Sequence, residues 1–197
     1  MAEIQECSSI AANEAKVEEP KDPATIDYEK GKEYLGIGDL GMAANAFHNA
    51  FMEYEQNNNQ EGLANCNDRM GDVCMAKNEY EMAISQYKKS FEIIKKLEDI
   101  DSEISLRKKL AQCNRELGQF DKAIRIYLIL FDLYSGMRNV KATVETIIAL
   151  AEVYEANNDP GKAADAYRSV AALHANFGHK NYAKKFLDKA EAIEAKG

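Results

Sequence analysis

The sequence has no tryptophan, only 3 prolines in 197 residues, 4 cysteines and no long apolar run. A membrane span needs roughly 18 consecutive apolar residues, and nothing approaches that. The opening Met1-Ala2-Glu3 has neither a basic nor an apolar leader region, so a cytoplasmic protein is expected. Cys7, Cys66, Cys74 and Cys113 include no C-x2-C pair, which reads as free thiols rather than a disulfide framework or a zinc site. An excess of basic charge is also missing: 25 Lys and Arg stand against 33 Asp and Glu, a net charge of −8. No global field exists to hold nucleic acid or an anionic membrane. The length suits one domain or a short repeat array.

The charge is uneven along the chain. Residues 1–23 carry six acids and two lysines, half the net charge, with two of the three prolines and no aromatic residue. Such a segment buries too little to offset its ordering entropy, so 1–23 is expected to be a disordered acidic leader. The folded domain is expected over 24–197.

An internal repeat organises that domain. Ala43, Ala83, Ala123 and Ala163 are spaced 40 residues apart without drift. Four residues after each comes an aromatic, Phe47, Tyr87, Tyr127 and Tyr167; twelve before comes a small residue, Gly31, Gly71, Ala111 and Ala151. Phe51, Phe91, Phe131 and Ala171 form a further column, and Tyr54, Ile94, Tyr134 and His174 another. Within a unit the apolar spacings are 3, 4 and 7, the period of an amphipathic helix. Breaks recur about every 20 residues, at Gly38-Asp39, Asn57-Asn58-Asn59, Asn78-Glu79, Glu98-Asp99, Gly118-Gln119, Met137-Arg138-Asn139, Asn158-Asp159-Pro160-Gly161 and Phe177-Gly178-His179. They predict nine helices: 24–37, 40–56, 61–77, 80–97, 102–117, 120–136, 140–157, 161–177 and 180–195. The units are about 24–57, 64–97, 104–137 and 144–177, with a final helix over 180–195.

The pattern Gly31-x2-Tyr34-x3-Gly38-Asp39-x3-Ala43-x3-Phe47-x2-Ala50 resembles the tetratricopeptide repeat, and Ala151-x2-Tyr154-x8-Ala163-x3-Tyr167 carries most of it. The period of 40 exceeds the family's usual 34. Six added residues are three per helix, close to one turn, so each helix lengthens with its faces in phase. The longer unit, seen in Glu61-Gly62-Leu63-Ala64-Asn65-Cys66-x4-Gly71, is similar to that of Pins-type scaffolds and kinesin light chains. The resemblance implies an all-α fold, a right-handed α-solenoid of about four helix pairs plus a C-terminal capping helix.

Chemical motifs are few. Gly36-Ile37-Gly38-Asp39-Leu40-Gly41 spells G-x-G-x-x-G but follows a helical stretch instead of a buried strand, so it reads as an inter-helix turn. His48, His174 and His179 have no nucleophile at a triad spacing, and His174 falls in a core column. Neither catalysis nor a cofactor or metal is expected.

In the resembled family the first helix of each pair lines a concave groove. Carrying its groove positions over gives Thr25, Tyr28, Lys32 and Leu35 in unit one; Asn65, Asp68, Asp72 and Met75 in unit two; Ser105, Lys108, Gln112 and Arg115 in unit three; and Glu145, Ile148, Glu152 and Glu155 in unit four, with Arg69 and Lys109 at the rim. Acid, base and acid on successive units suit a peptide of complementary charge, with Tyr28 and Met75 as apolar contacts. The family's clamp for an acidic C-terminal carboxylate maps to Tyr28, Lys32, Arg69, Ser105 and Lys109, without its asparagines. The expected function is a non-catalytic interaction scaffold or adaptor binding a peptide segment of another protein; the alternatives are a ligand- or peptide-responsive regulator and an assembly factor of a larger complex. Phe177, Tyr182, Phe186 and Leu187 make the C-terminal helix a candidate for self-association.

Overall fold

The computed structural model describes residues 22–195. The expected leader therefore lies outside the described residues apart from Asp22 and Pro23, and so does Cys7. Among the described residues the regular structure is all helical: α1 (Pro23–Gly36), α2 (Leu40–Gln56), α3 (Gln60–Ala76), α4 (Tyr80–Leu97), α5 (Ile100–Glu116), α6 (Phe120–Gly136), α7 (Val140–Ala156), α8 (Pro160–Asn176) and α9 (Lys180–Glu194). Expected and observed ends differ by no more than two residues. Each helix packs on the next one in the chain. The result is an all-α solenoid of the antiparallel pairs α1/α2, α3/α4, α5/α6 and α7/α8, followed by α9.

One turn design closes every helix before α9. Gly38, Asn58, Asn78, Glu98, Gly118, Arg138, Asn158 and Gly178, spaced 20 apart, all have positive φ. The next residue's N–H donates five residues back, as in Asp39 N to Tyr34 O (2.9 Å) and His179 N to His174 O (2.9 Å), which satisfies carbonyls the helix end leaves unpaired. That same residue caps the following helix. Asp39, Asn59, Asp99, Asn139 and Asp159 accept from the N–H three residues on, and Pro160 after Asp159 supplies the first helical position without needing a donor.

The repeat columns build the core. Ala43, Ala83, Ala123 and Ala163 are all fully buried, and the small residues Gly31, Gly71, Ala111 and Ala151 are buried too. The column aromatic of each second helix lies against the small residue of its own first helix. A Cβ built on Gly71 would stand 2.4 Å from the Tyr87 ring, and one on Gly31 would stand 2.6 Å from Phe47. A second small column, absent from the sequence reading, faces Tyr54: a Cβ on Gly62 would meet that ring at 2.4 Å. Adjacent units share their apolar clusters, as where Ala83, Tyr87 and Ile94 pack with Leu106 and Cys113. The core therefore continues along the array.

His174 departs from its column. Tyr54, Ile94 and Tyr134 are buried, but His174 is half-buried and stacks on Tyr182 (5.4 Å between ring centroids) and Phe186 (5.7 Å). The bulky Tyr182 sits where Gly62 and Ala142 stand in earlier units, so the ring it faces cannot sink into the interface. Phe186 is half-buried between His174 and Tyr167, whereas Phe177, Tyr182 and Leu187 are exposed.

Candidate functional site

The first helices of adjacent units lie side by side, and a polar tie joins each neighbouring pair. Between α1 and α3, Arg69 Nε donates to the Tyr28 hydroxyl at 3.3 Å. Between α3 and α5, Lys109 Nζ donates to both Asp68 oxygens (2.7 and 2.8 Å) and lies 2.7 Å from Asp72 Oδ1. Arg69 also pairs with Asp72 at 2.9 Å, and the Tyr87 hydroxyl donates to Asp72 at 2.9 Å. Burial pushes the Asp68 carboxyl up, while Lys109 pulls it the other way. Between α5 and α7, Arg115 reaches Glu152 at 3.3 Å and also pairs with Glu116 at 3.1 Å. At the far end Lys189 of α9 reaches Glu155 (3.2 Å) and the Tyr167 hydroxyl, which itself donates to Glu155.

The alternating charges read from the sequence thus neutralise one another across units. Asp68, Asp72, Arg69 and Lys109 form one compensated cluster on a partly buried surface, with Tyr28 and Tyr87 tied into it. Lys32 pairs with Glu29 at 2.7 Å, the lysine exposed and the glutamate half-buried, and Asn65 is exposed on α3. Met75 is engaged too, its Sδ 3.0 Å from Cys113 Sγ. Burial pushes the Cys66 thiol up to about 12 and the Cys113 thiol up to about 11, so both remain protonated packing residues.

One stretch of this face remains open. Lys108, Gln112 and Arg115 of α5, Tyr127 and Leu130 of α6, and Glu145, Thr146 and Ala149 of α7 enclose a pocket of about 390 Å³. Lys108 lies over the Tyr134 ring at 5.2 Å, and neither Lys108 nor Glu145 forms an ion pair among the described residues. The structure thus brings Lys108, Gln112, Arg115 and Glu145 around one opening. Asp68, Arg69, Asp72 and Lys109 gather into a closed cluster one unit away, and Glu155 lies with α9. Sequence reasoning assigned Tyr127 and Tyr167 to the core columns alone and did not single out Ala149 or Lys189. The available signal was the column Glu29, Arg69, Lys109, Ala149, Lys189, in which the base of units two and three and of α9 is missing from unit four.

The remaining motifs resolve into structure. Gly38 of the G-x-G-x-x-G segment takes φ +81° in the turn between α1 and α2. No group of three His, Cys, Asp or Glu residues is placed to hold a metal among the described residues, and no helix there is long and apolar enough to cross a membrane.

A family model described as tetratricopeptide repeat matches residues 60–135. No curated protein matches the sequence. Among solved structures, the chain is similar to a Podosopora anserina protein described as a kinesin light chain with nearly identical TPR-like repeats, at TM-score 0.69 and 15% identity over 90% of this chain and 98% of that one. It is also similar to the Rap conjugation gene regulator of plasmid pLS20 in complex with the Phr* peptide (TM-score 0.62, 11% identity, 88% of this chain and 53% of that one). A third similarity is to the Cut9-Hcn1 hetero-tetramer of the APC/C, at TM-score 0.59 and 16% identity over 86% of this chain and 30% of that one. Residues 60–135, which match the tetratricopeptide repeat, run through α3 to α6, and the same helix pairs, turns and 40-residue columns continue on both sides, so the matched segment is two units of a longer array of one design.

Proposed function

We propose that the protein is a non-catalytic cytoplasmic scaffold that binds a segment of a partner protein along the face lined by its first helices, with α5 and α7 as the principal seat. The carrying observation is the open pocket, where Lys108, Gln112 and Glu145 stand uncompensated above an apolar floor while the neighbouring rungs neutralise their own charges. Uncompensated charges of both signs over a concave apolar floor give orientation and specificity to a bound chain, and the floor contributes burial. A peptide in the pLS20 regulator and a protein partner in Cut9-Hcn1 support this class of ligand. An acidic-tail clamp built on Arg69 and Lys109 is disfavoured, because Asp68 and Asp72 already occupy both cations.

The test is selection of a displayed library of random twelve-residue peptides against the full chain. Peptides that bind the wild type should bind the charge-swapped Lys108→Glu, Glu145→Lys protein at least tenfold more weakly, about 1.4 kcal/mol. They should bind equally well after Lys88→Glu on the second helix of unit two. Failure to select any peptide sensitive to the swap defeats the reading.

A further inference from the structure

Three units share one tyrosine column and differ in what surrounds it. In unit two the Tyr87 hydroxyl donates to Asp72, and Lys109 from the next unit covers the ring at 5.3 Å. In unit four the Tyr167 hydroxyl donates to Glu155, and Lys189 covers the ring at 4.1 Å. Each of these rungs supplies its tyrosine with an internal acid and an internal lysine.

Unit three keeps the tyrosine and lacks both partners. Position 112, in the column of Asp72, is Gln; position 115, in the column of Glu155, is Arg; position 149, in the column of Lys109 and Lys189, is Ala. Tyr127 is only 8% exposed, and its hydroxyl makes no hydrogen bond among the described residues. It borders the pocket, whose wall includes Ala149 where a longer side chain stands in the other rungs. The ring is nine-tenths buried while the hydroxyl keeps access beside the pocket, since the buried side-chain polar atom left without a partner among the described residues is Gln86 Oε1; Tyr127 therefore offers an open donor to an acceptor supplied from outside. Around it stand mainly donors: the Lys108 ammonium, the Gln112 amide and the Arg115 guanidinium.

We infer that this pocket is a carboxylate subsite, in which a carboxylate of the bound segment takes the place that Asp72 and Glu155 hold in units two and four. The inference rests on the binding reading above. The carboxylate accepts from the Tyr127 hydroxyl and is held by Lys108, Gln112 and Arg115, entering the space that Ala149 leaves. Burial pushes the Tyr127 phenol up, which keeps it a donor. Arg115 is half-committed to Glu116 and Glu152 at the rim, pairs exposed enough to exchange for an incoming acid. Glu145 on the facing helix disfavours a second acid and suits a backbone N–H or a basic neighbour in the ligand.

The experiment uses the groove-binding peptides selected above. Each is remade with every acidic side chain changed in turn to its amide, and separately with an amidated C-terminus. On the wild type, one of these changes should weaken binding by about tenfold, the order expected for loss of a charge-assisted hydrogen bond. Which arm responds tells a side-chain carboxylate from a terminal one. On Tyr127→Phe, which gives up no internal hydrogen bond, and on the double variant Gln112→Asp, Ala149→Lys, which rebuilds the rung of unit two, the same change should matter less than about twofold. Equal weakening on all three proteins puts the carboxylate elsewhere and overturns the inference. Tight groove binding that no amide substitution alters also overturns it, leaving the binding reading intact. Absence of any groove-binding peptide overturns both.

Discussion

Tyr87, Tyr127 and Tyr167 have the same address in the repeat and different partners, so removal of one oxygen should have unequal effects. Tyr87→Phe leaves Asp72 with fewer donors, and Tyr167→Phe does the same to Glu155. A hydrogen bond to a charged group contributes on the order of 1.5–3 kcal/mol, so each of these variants should lose about 1–2 kcal/mol once solvent access is allowed for. Tyr127→Phe should change stability by less than about 0.5 kcal/mol, because nothing in the fold depends on its hydroxyl. Urea denaturation of the three variants measures the difference; an equal loss at all three would mean that Tyr127 is bonded internally. Glycine gives a second contrast. Glycine in a helix is ordinarily about 1 kcal/mol worse than alanine, and at Gly36, where an added Cβ meets nothing, Gly36→Ala should stabilise by about 0.5–1 kcal/mol. At Gly71 the Cβ would stand 2.4 Å from the Tyr87 ring, and overpacking outweighs propensity. Gly71→Ala should therefore destabilise by about 1–2 kcal/mol, and thermal melts of the pair check the opposite signs.

At the scale of the helix and its turn, stop and start are one device, since the residue after each left-handed position both closes one helix and precedes the next. Five of the eight left-handed positions are not glycine, and three of those five are asparagine, which tolerates this conformation. Glu98 and Arg138 have no such excuse. The left-handed conformation costs an ordinary residue about 1–2 kcal/mol, and glycine returns part of the gain through its freer unfolded chain. Arg138→Gly and Glu98→Gly should each stabilise by about 0.5–1 kcal/mol, with denaturant midpoints rising and slopes unchanged. These turns were legible in the sequence because their chemistry is local: a Gly or Asn takes the left-handed position in six of the eight, and an Asp or Asn cap follows at once in three of those six. The two without glycine or asparagine still stood out through the 20-residue interval. The core columns were legible for the same reason, since each repeats a size at a fixed address. The charges of the inner face were not. A column gives the address of Asp68 or Lys109 but not the partner, which sits 41 residues away on the neighbouring helix. Pairing is a property of two adjacent units, so groove residues that look available in sequence are mutually satisfied, and the open rung shows itself only where Gln112 and Ala149 interrupt two columns together.

Across the whole molecule, α9 repeats the first-helix position of a unit with a different outer surface. Where earlier first helices bury Ala24, Ala64 and Ile104, α9 has the exposed Lys184, and where they bury Gly31, Gly71, Ala111 and Ala151, it has the exposed Glu191. A helix seated on α9 as α2 is seated on α1 would have to supply partners for both charges, unlike the small and apolar residues at these addresses in the earlier first helices. The inner side of α9 is fully engaged: Ala190 is completely buried with Ala151, Ala164 and Tyr167, and Lys189 ties it to Glu155. Because helices contact chiefly their neighbours in the chain, damage at one end should stay near that end. Ala190→Asp places an unpaired charge in the α8/α9 interface, at a cost of several kcal/mol that detachment of α9 relieves. Hydrogen exchange should then accelerate in α9 and α8 while α1 to α4 keep their protection, and Ala43→Asp in the first unit should give the mirror-image pattern. If either substitution removed protection from all described helices together, the array would be one cooperative unit, and coupling between its ends would have to run through the ladder of first-helix ties as well as through nearest-neighbour packing.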